Sequence, residues 1–458
     1  MNPTSTAATT SDFAGLASKT ISPDHPGYDA ARTVVYGGID LRPRAIVRVA
    51  DAVDVAKVIA HARAHQLEIA IRSGGHSIAG HSGSEGGMVI DLRDMKQIDF
   101  DPVARTVWAG AGLTAFELLQ FLAPHKLVVG FGDAGTVGIS GITLGGGVGY
   151  LTRKLGLTID AVLALELVTA DGQVLIADAD NHPDLFWALR GGGGNFGVVT
   201  RIRFRLSELE TFTGGMLMLP ATAETIHAFM VAARAAPEAL SSIVNIMPAP
   251  PMPFLPAEKV GQPVIMGMMA YAGPDPEAQG ALAPFRSIAE PLADFVKAGE
   301  YHTTMFPPEE SDFHPTVAIR NLFMDDFTFD DARRLIEYLA DSDAPFRVAQ
   351  LRVLGGAATR VPAETTAYAH RHRTIMANVA AFYDGSDTDR LAKQAWARRF
   401  AEALNGSDTA AYVNFLGDEG DERIRDAYPE PTWTRLRQVK SQYDPENLFR
   451  RNQNIPPA

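Results

Sequence analysis

Apolar residues fall at helical spacing from Asp51 to His65, behind an acidic first turn, and predict a helix there. It delivers the chain to Glu68–Arg72, a short apolar stretch that reads as a strand. Met88–Leu92 and Thr106–Gly112 are strand-like, and Thr114–Ala123 reads as a capped helix. Tyr28–Tyr36 predicts a short helix leading into Pro43–Val47, and Pro183–Arg190 a helix before the alternating strand Val198–Leu206. Beyond Leu206, helices are expected at Thr222–Ala235 and Phe329–Ala340, and strands at Phe346–Leu354, Ala377–Tyr383 and Ala410–Leu416. Proline-rich connections (Met247–Pro256, Phe306–Pro308) separate them, and a final helix starts at Trp433. Strands and helices mix without a regular βαβ alternation, so the fold class is α+β rather than doubly wound α/β.

At 458 residues the chain is long enough for two domains. A net charge of −13 argues against a nucleic-acid partner, because neutralising phosphates needs clustered Lys and Arg. No run of eighteen apolar residues exists to span a membrane. Met1–Ser11, rich in Thr, Ala and Ser, reads as a disordered tail rather than a signal peptide. The absence of cysteine excludes disulfides, thiolate metal sites and cysteine nucleophiles, and it fits a cytoplasmic location. No metal site is read from the remaining residues.

Glycine changes the picture most. In Ile71-Arg72-Ser73-Gly74-Gly75-His76-Ser77, paired glycines let backbone N–H groups approach an anion, Arg72 adds a positive fork, and His76 follows at once. A phosphate cradle beside a nucleophilic imidazole and a plain glycine turn with an incidental histidine are equally good readings of this heptapeptide alone. From Gly132 to Tyr150, small residues interleave with Val137, Ile139, Ile142, Leu144 and Val148. A linker would be polar, so this backbone is expected to lie flush against a large flat ligand, with tight helix packing as the alternative. A third run, Gly191–Gly197, contains GxGxxG but follows a helix and precedes a strand, the reverse of a dinucleotide-binding turn.

Together these motifs resemble the vanillyl-alcohol-oxidase superfamily of flavoproteins, and within it the berberine-bridge-enzyme-like branch. The carriers are Arg72–His76, Thr136–Gly138 with Leu144–Gly149, Asp184–Thr200, and Tyr443–Arg450 with Asn454–Pro457. The resemblance implies a two-domain PCMH-type FAD-binding fold with an inserted substrate domain of antiparallel sheet plus helices. The expected division is a tail over 1–12, an FAD domain over 13–206, a substrate domain over 207–417, and a segment over 418–458 returning to the FAD domain. It further implies FAD bonded covalently through His76. Arg72, Ser73, Gly74, Gly75 and Ser77 would surround the diphosphate. Ala134, Thr136, Gly138, Gly141, Gly146 and Gly149 would lie along the flavin, Val199 on the adenine side and Asn454 in the tail.

Departures from the pattern bear on chemistry. Members that attach flavin twice carry a cysteine where this chain has Ala134, so attachment is expected to be single. Ile78 stands where plant members carry a tyrosine and Phe415 where they carry a tyrosine or histidine, and the strand expected to hold their glutamate base, Ile375–Tyr383, has no carboxylate. A phenol or carbinol would want a base within reach, whereas a neutral amine can lose hydride with help from its own lone pair. Similarity to the bacterial 6-hydroxy-D-nicotine-oxidase type points the same way. The expected activity is therefore an FAD-dependent oxidase acting on a C–H beside nitrogen, with dioxygen as second substrate. Alternatives are alcohol or sugar oxidation, oxidative cyclisation, a dehydrogenase, or a flavin carrier without turnover. Candidates for the substrate pocket are Gln350, Arg352, His370, Tyr383, Tyr412 and Asn414, with Gln350 and Arg352 on one sheet face where a solvent-facing role is the simpler reading.

Overall fold

A computed structural model describes residues 19–307 and 313–458. The expected N-terminal tail and Pro308 lie outside the described residues. The helix at Ala52–Ala64 starts on Asp51, whose side chain accepts from the Asp54 amide; the helix at Ala115–Leu122 starts on a Thr114–Glu117 capping box. The first predicted helix is shorter than expected, Tyr28–Arg32, because Thr33 turns extended.

Two sheets build the N-terminal part. In the four-stranded one, Ala45–Arg48, Met88–Asp91 and Ile69–Arg72 run parallel in that order. The other is five-stranded and antiparallel, with Val198–Arg205 between Thr106–Gly110 and Val162–Val168. The C-terminal helix Thr432–Tyr443 and the tail after it return to this part. Leu436 and Ile455 join the core of the five-stranded sheet, and Phe449 joins that of the parallel sheet.

The middle of the chain folds as an antiparallel sheet in the order Phe212–Pro220, Pro263–Tyr271, Leu240–Pro248, Arg347–Val353, Ile375–Phe382, Val317–Met324. Period-2 alternation splits its faces. Val244, Leu351, Ala377 and Leu322 pack under the helices Ala223–Ala235, Asp275–Arg286, Phe329–Asp341 and Asp387–Asn405. The opposite face carries Asn245, Gln350, Asn378 and Asn321, which stand side by side across four adjacent strands. Mixed α+β architecture is what the hydrophobic pattern predicted, and an antiparallel sheet backed by helices is what the resemblance implied.

One strand expectation fails. Ala410–Leu416 forms no ladder; it contains a single 3-10 turn at Val413–Phe415. The Tyr412 amide donates to the side chain of Asn321 at 2.7 Å, and the Phe415 amide turns back to the Tyr412 carbonyl. Side-chain and local partners have taken the donors a ladder would need.

Candidate active site

A cavity of about 320 Å³ opens where the glycine segments, the 412–416 turn and the tail converge. The strand Ile69–Arg72 ends at its rim, and Gly75 turns the chain with φ +76, a left-handed conformation that a side chain resists. Gly74 backs directly onto Gly138: a Cβ on Gly74 would stand 2.3 Å from the Gly138 nitrogen. Ser73 donates to the Ala111 carbonyl at 2.7 Å and fixes the start of the loop. Among the described residues, the backbone N–H groups of Gly74, Gly75, His76 and Ser77 donate to no protein group. Four consecutive free amides at a cavity wall are the arrangement that receives an anion.

Other orphaned polar atoms fit a large polar ligand. Asn452 Oδ1, Asn454 Oδ1 and both ring nitrogens of His81 are buried without a hydrogen bond, and His81 and Asn452 line the cavity. Burial holds the His81 imidazole down at about 4, hence neutral. Gly141 and Gly194 also line the cavity, and a Cβ on either would meet nothing within 4 Å. These residues fit FAD: free amides for its diphosphate, open glycines for its rings, and tail amides for its polar groups.

His76 lines the same wall, with Nε2 3.0 Å from Thr136 Oγ1. Burial lowers its pKa, while Thr136 and Asp133 act in the opposite direction. Nδ1 makes no hydrogen bond among the described residues. A neutral ring held by one nitrogen presents the other as a nucleophile.

At one end of the cavity the lining becomes polar on one side and aromatic on the other. Arg352 is buried from the antiparallel sheet and donates to Asp133 Oδ2 at 2.6 Å, Gln350 Oε1 at 2.6 Å and the Val148 carbonyl at 3.2 Å. Its guanidinium carbon lies 4.9 Å from the centre of the Phe415 ring. Gln350 in turn donates to Asn245 Oδ1 at 3.0 Å. Tyr36 lines this end, and burial reinforced by Asp133 pushes its hydroxyl up to about 12. Tyr412 accepts from the Gly147 amide and from Asn414, both at 2.9 Å, locking the glycine run from outside.

Of the residues singled out from sequence, Ser73, Gly74, Gly75, His76, Ser77, Ala134, Gly138, Gly141, Val199, Tyr412 and Asn414 line the cavity. Thr136 contributes through His76. Asn454 adjoins the lining tail residue Gln453 and holds an orphaned oxygen. Arg72 sits differently from its expected place at a phosphate: it is buried behind the turn and donates to the carbonyls of Ala31 and Thr33. Gly146 and Gly149 serve packing, since a Cβ on Gly149 would stand 1.7 Å from the Phe131 carbonyl oxygen and one on Gly146 2.9 Å from the Tyr368 ring. His370 Nε2 donates to the Asp426 carbonyl and its ring lies tilted against Phe323, and the Tyr383 hydroxyl lies against Gly38. Arg352 is buried against Asp133 and Val148 rather than solvent-facing, and Gln350 is half-buried and bonded to Asn245 and Arg352. Sequence reasoning missed Tyr36, His81, Asp133, Asn195 and Arg451, all at the cavity wall. Asp133 was visible as the one acid inside a glycine run, and His81 as a second histidine just past the first.

An FAD-shaped set of free amides and glycines under a separate antiparallel sheet defines a flavin-dependent oxidoreductase. Two family models match the chain: "FAD binding domain" over residues 43–178 and "Berberine and berberine like" over 411–456. It is 31% identical over 456 residues to (R)-6-hydroxynicotine oxidase of Paenarthrobacter nicotinovorans, covering 95% of this chain and 96% of that one. The crystal structure of 6-hydroxy-D-nicotine oxidase from Arthrobacter nicotinovorans superposes with a TM-score of 0.84 at 27% identity, covering 96% of this chain and 98% of the other. Xylooligosaccharide oxidase from Myceliophthora thermophila shares the fold, with a TM-score of 0.85 at 22% identity over 98% of this chain and 100% of that one. The chain belongs to the berberine-bridge-enzyme-like branch of the vanillyl-alcohol-oxidase family, and it is an FAD-dependent oxidoreductase. No helix among the described residues is long and apolar enough to cross a membrane.

Proposed function

We propose that this enzyme is an amine oxidase that takes hydride from a C–H next to nitrogen, with FAD tethered once, through His76. The observation that carries the amine reading is that the positions where a base is expected are apolar. Ile78 and Phe415 both line the cavity, and no carboxylate stands on the strand Ile375–Phe382. Without a base there, removal of hydride is best served by a substrate that supplies its own lone pair. The 31% identical relative, named as an oxidase of a cyclic amine, supports the same reading.

Bound FAD supplies the two-electron acceptor, and dioxygen takes the electrons on to hydrogen peroxide. The protein's part is positional. The amides of Gly74 to Ser77 would hold the diphosphate, and Thr136 holds His76 by Nε2, leaving Nδ1 for the bond to flavin. Tyr412 and Asn414 clamp the glycine backbone that the flavin lies on. With no cysteine in the chain and Ala134 at the wall, His76 is the sole tether.

Two experiments test this. Acid-precipitated protein should give a yellow pellet, and His76→Ala a colourless one with flavin in the supernatant; a colourless wild-type pellet would refute the tether. Anaerobic mixing with a panel of cyclic amines, aromatic alcohols and sugars should bleach the flavin with amines first. Bleaching by sugars or alcohols alone would replace the amine reading with the alcohol-oxidase one.

A further inference from the structure

Asp133 is the only Asp or Glu among the residues lining the cavity, and the fold holds it there deliberately. Its Oδ2 accepts from Arg352 at 2.6 Å, and no hydrogen bond is made by Oδ1 among the described residues. The side chain of Arg352 is 4% accessible, whereas that of Asp133 is 27% accessible. Four of the five guanidinium N–H groups are engaged: Nε and Nη2 go to Gln350, Nη2 also to Asp133, and Nη1 to the Val148 carbonyl. What the pair offers the cavity is the carboxylate.

The surroundings sharpen this. Asp133 acts electrostatically on His76 and on the hydroxyls of Tyr36, Tyr150 and Tyr301, so it lies near all four. Burial keeps all three phenols neutral at physiological pH, with Tyr36 at about 12 and the other two higher still. They add no competing charge. Neither Gln350 nor the amide row beside it carries charge, and the arginine among the lining residues, Arg451, comes from the tail and donates through Nε to the Gly83 carbonyl at 2.9 Å.

We infer that Asp133 is a specificity-determining residue: its free carboxylate oxygen takes a cationic or N–H-bearing nitrogen of the substrate and excludes carboxylic acids. The inference rests on the amine-oxidase reading and adds the contact that reading lacks. Asp133 fixes where the nitrogen sits; a substrate bound as its ammonium gives its proton to solvent before hydride leaves, which frees the lone pair. Arg352 is a positioning residue that keeps Oδ2 occupied and leaves Oδ1 to the ligand. An anion entering beside Asp133 would meet the carboxylate first, because the Arg352 guanidinium is buried behind it and already engaged with Asp133, Gln350 and the Val148 carbonyl.

The test uses flavin-loaded enzyme and three matched probes, benzylamine, benzyl alcohol and benzoate, titrated at pH 7 under anaerobic conditions. Binding is read from perturbation of the flavin spectrum. Wild type should bind benzylamine about tenfold or more tighter than benzyl alcohol, with benzoate weakest, as expected for a charge-assisted contact in a partly buried site. Asp133→Asn keeps an oxygen for Arg352 and should reduce the benzylamine preference to about threefold or less while leaving benzyl alcohol unchanged. A purely structural role would weaken all three probes together. Equal binding of the probes by wild type, a preference for benzoate, or no spectral response to any of them overturns the inference. So does a preference that survives in Asp133→Asn; if that variant does not fold, the wild-type order of the probes decides alone. Amines that bleach the flavin without any charge preference would sink this inference and spare the amine reading. A clear charge preference with no amine able to bleach the flavin would do the reverse.

Discussion

Lys440 is fully buried, and its ammonium donates to Asp444 Oδ2 at 2.7 Å, the Asn195 carbonyl at 2.7 Å and the Phe449 carbonyl at 2.9 Å. Those three bonds use every donor a lysine has. Asp444, equally buried, also accepts the amides of Leu448 and Phe449 at 2.8 Å each. Burial depresses the Lys440 pKa and Asp444 pulls it back, the pattern of a charge that survives inside only because it is paired. The pair joins the last helix, the tail and the third glycine run, and so holds Asn452 and Gln453 at the cavity. Lys440→Met replaces the stem volume but strands a carboxylate and two carbonyls. Breaking a buried pair by removing one partner costs about 3–5 kcal/mol.

With a denaturant slope of about 3 kcal/mol/M, this lowers the urea midpoint by about 1–1.7 M. Flavin fluorescence, which rises as the ring becomes solvated, is a suitable readout because the tail borders the flavin cavity. The double variant Lys440→Met/Asp444→Asn removes the stranded charge and should regain at least about 1 kcal/mol over the single one. A single-variant midpoint within about 0.3 M of wild type, or a double variant no better than the single, would show that the pair does not bear the tail.

Gly141→Val should give folded protein with a low flavin-to-protein absorbance ratio, because the new side chain projects into cavity space where nothing stands within 4 Å. Gly149→Ala should instead lose soluble protein, since its Cβ would meet the Phe131 carbonyl oxygen at 1.7 Å. Arg72→Lys should lower stability by about 1–3 kcal/mol with flavin content retained at saturating FAD, because one ammonium cannot reproduce the fork on Ala31 and Thr33. For pH, burial takes the His370 imidazole from 6.5 down to about 4. As pH falls through that window the unfolded chain binds the proton first, so stability drops between pH 6.5 and 4 and is unaffected above it. The full window is worth up to about 3 kcal/mol, and His370→Gln should flatten that part of a stability–pH curve.

Features set by local pattern were legible in the chain. The Asp51 and Thr114 caps, the helix before Gly191 and the alternating strand after it follow from residues a few positions apart, and the structure places them within a residue or two of expectation. The two trades of glycine were not separable that way. Gly141 faces open space and Gly149 faces a carbonyl, yet both sit in the same run of small residues. The difference lies in what the fold brings opposite each, and no local window contains it.

The same limit governed the polar end of the site. Gln350 looks solvent-facing on its own strand, but register sets it beside Asn245, more than a hundred residues earlier, and beside Asn378. Arg352 then reaches Asp133 from the other sheet system, a separation of 219 residues. The search for a base concentrated on Ile78, Phe415 and the strand Ile375–Tyr383, and there it correctly finds no acid. The acid arrives instead on the glycine turn itself, one residue before Ala134. A carboxylate on a backbone this constrained needs an external partner to keep it from turning into solvent, and Arg352 is that partner. Because Arg352 comes from the antiparallel sheet, the charge that faces the substrate is fixed only when both parts of the molecule have folded against each other. Substrate preference in this enzyme is therefore a property of the seam between them rather than of either part alone.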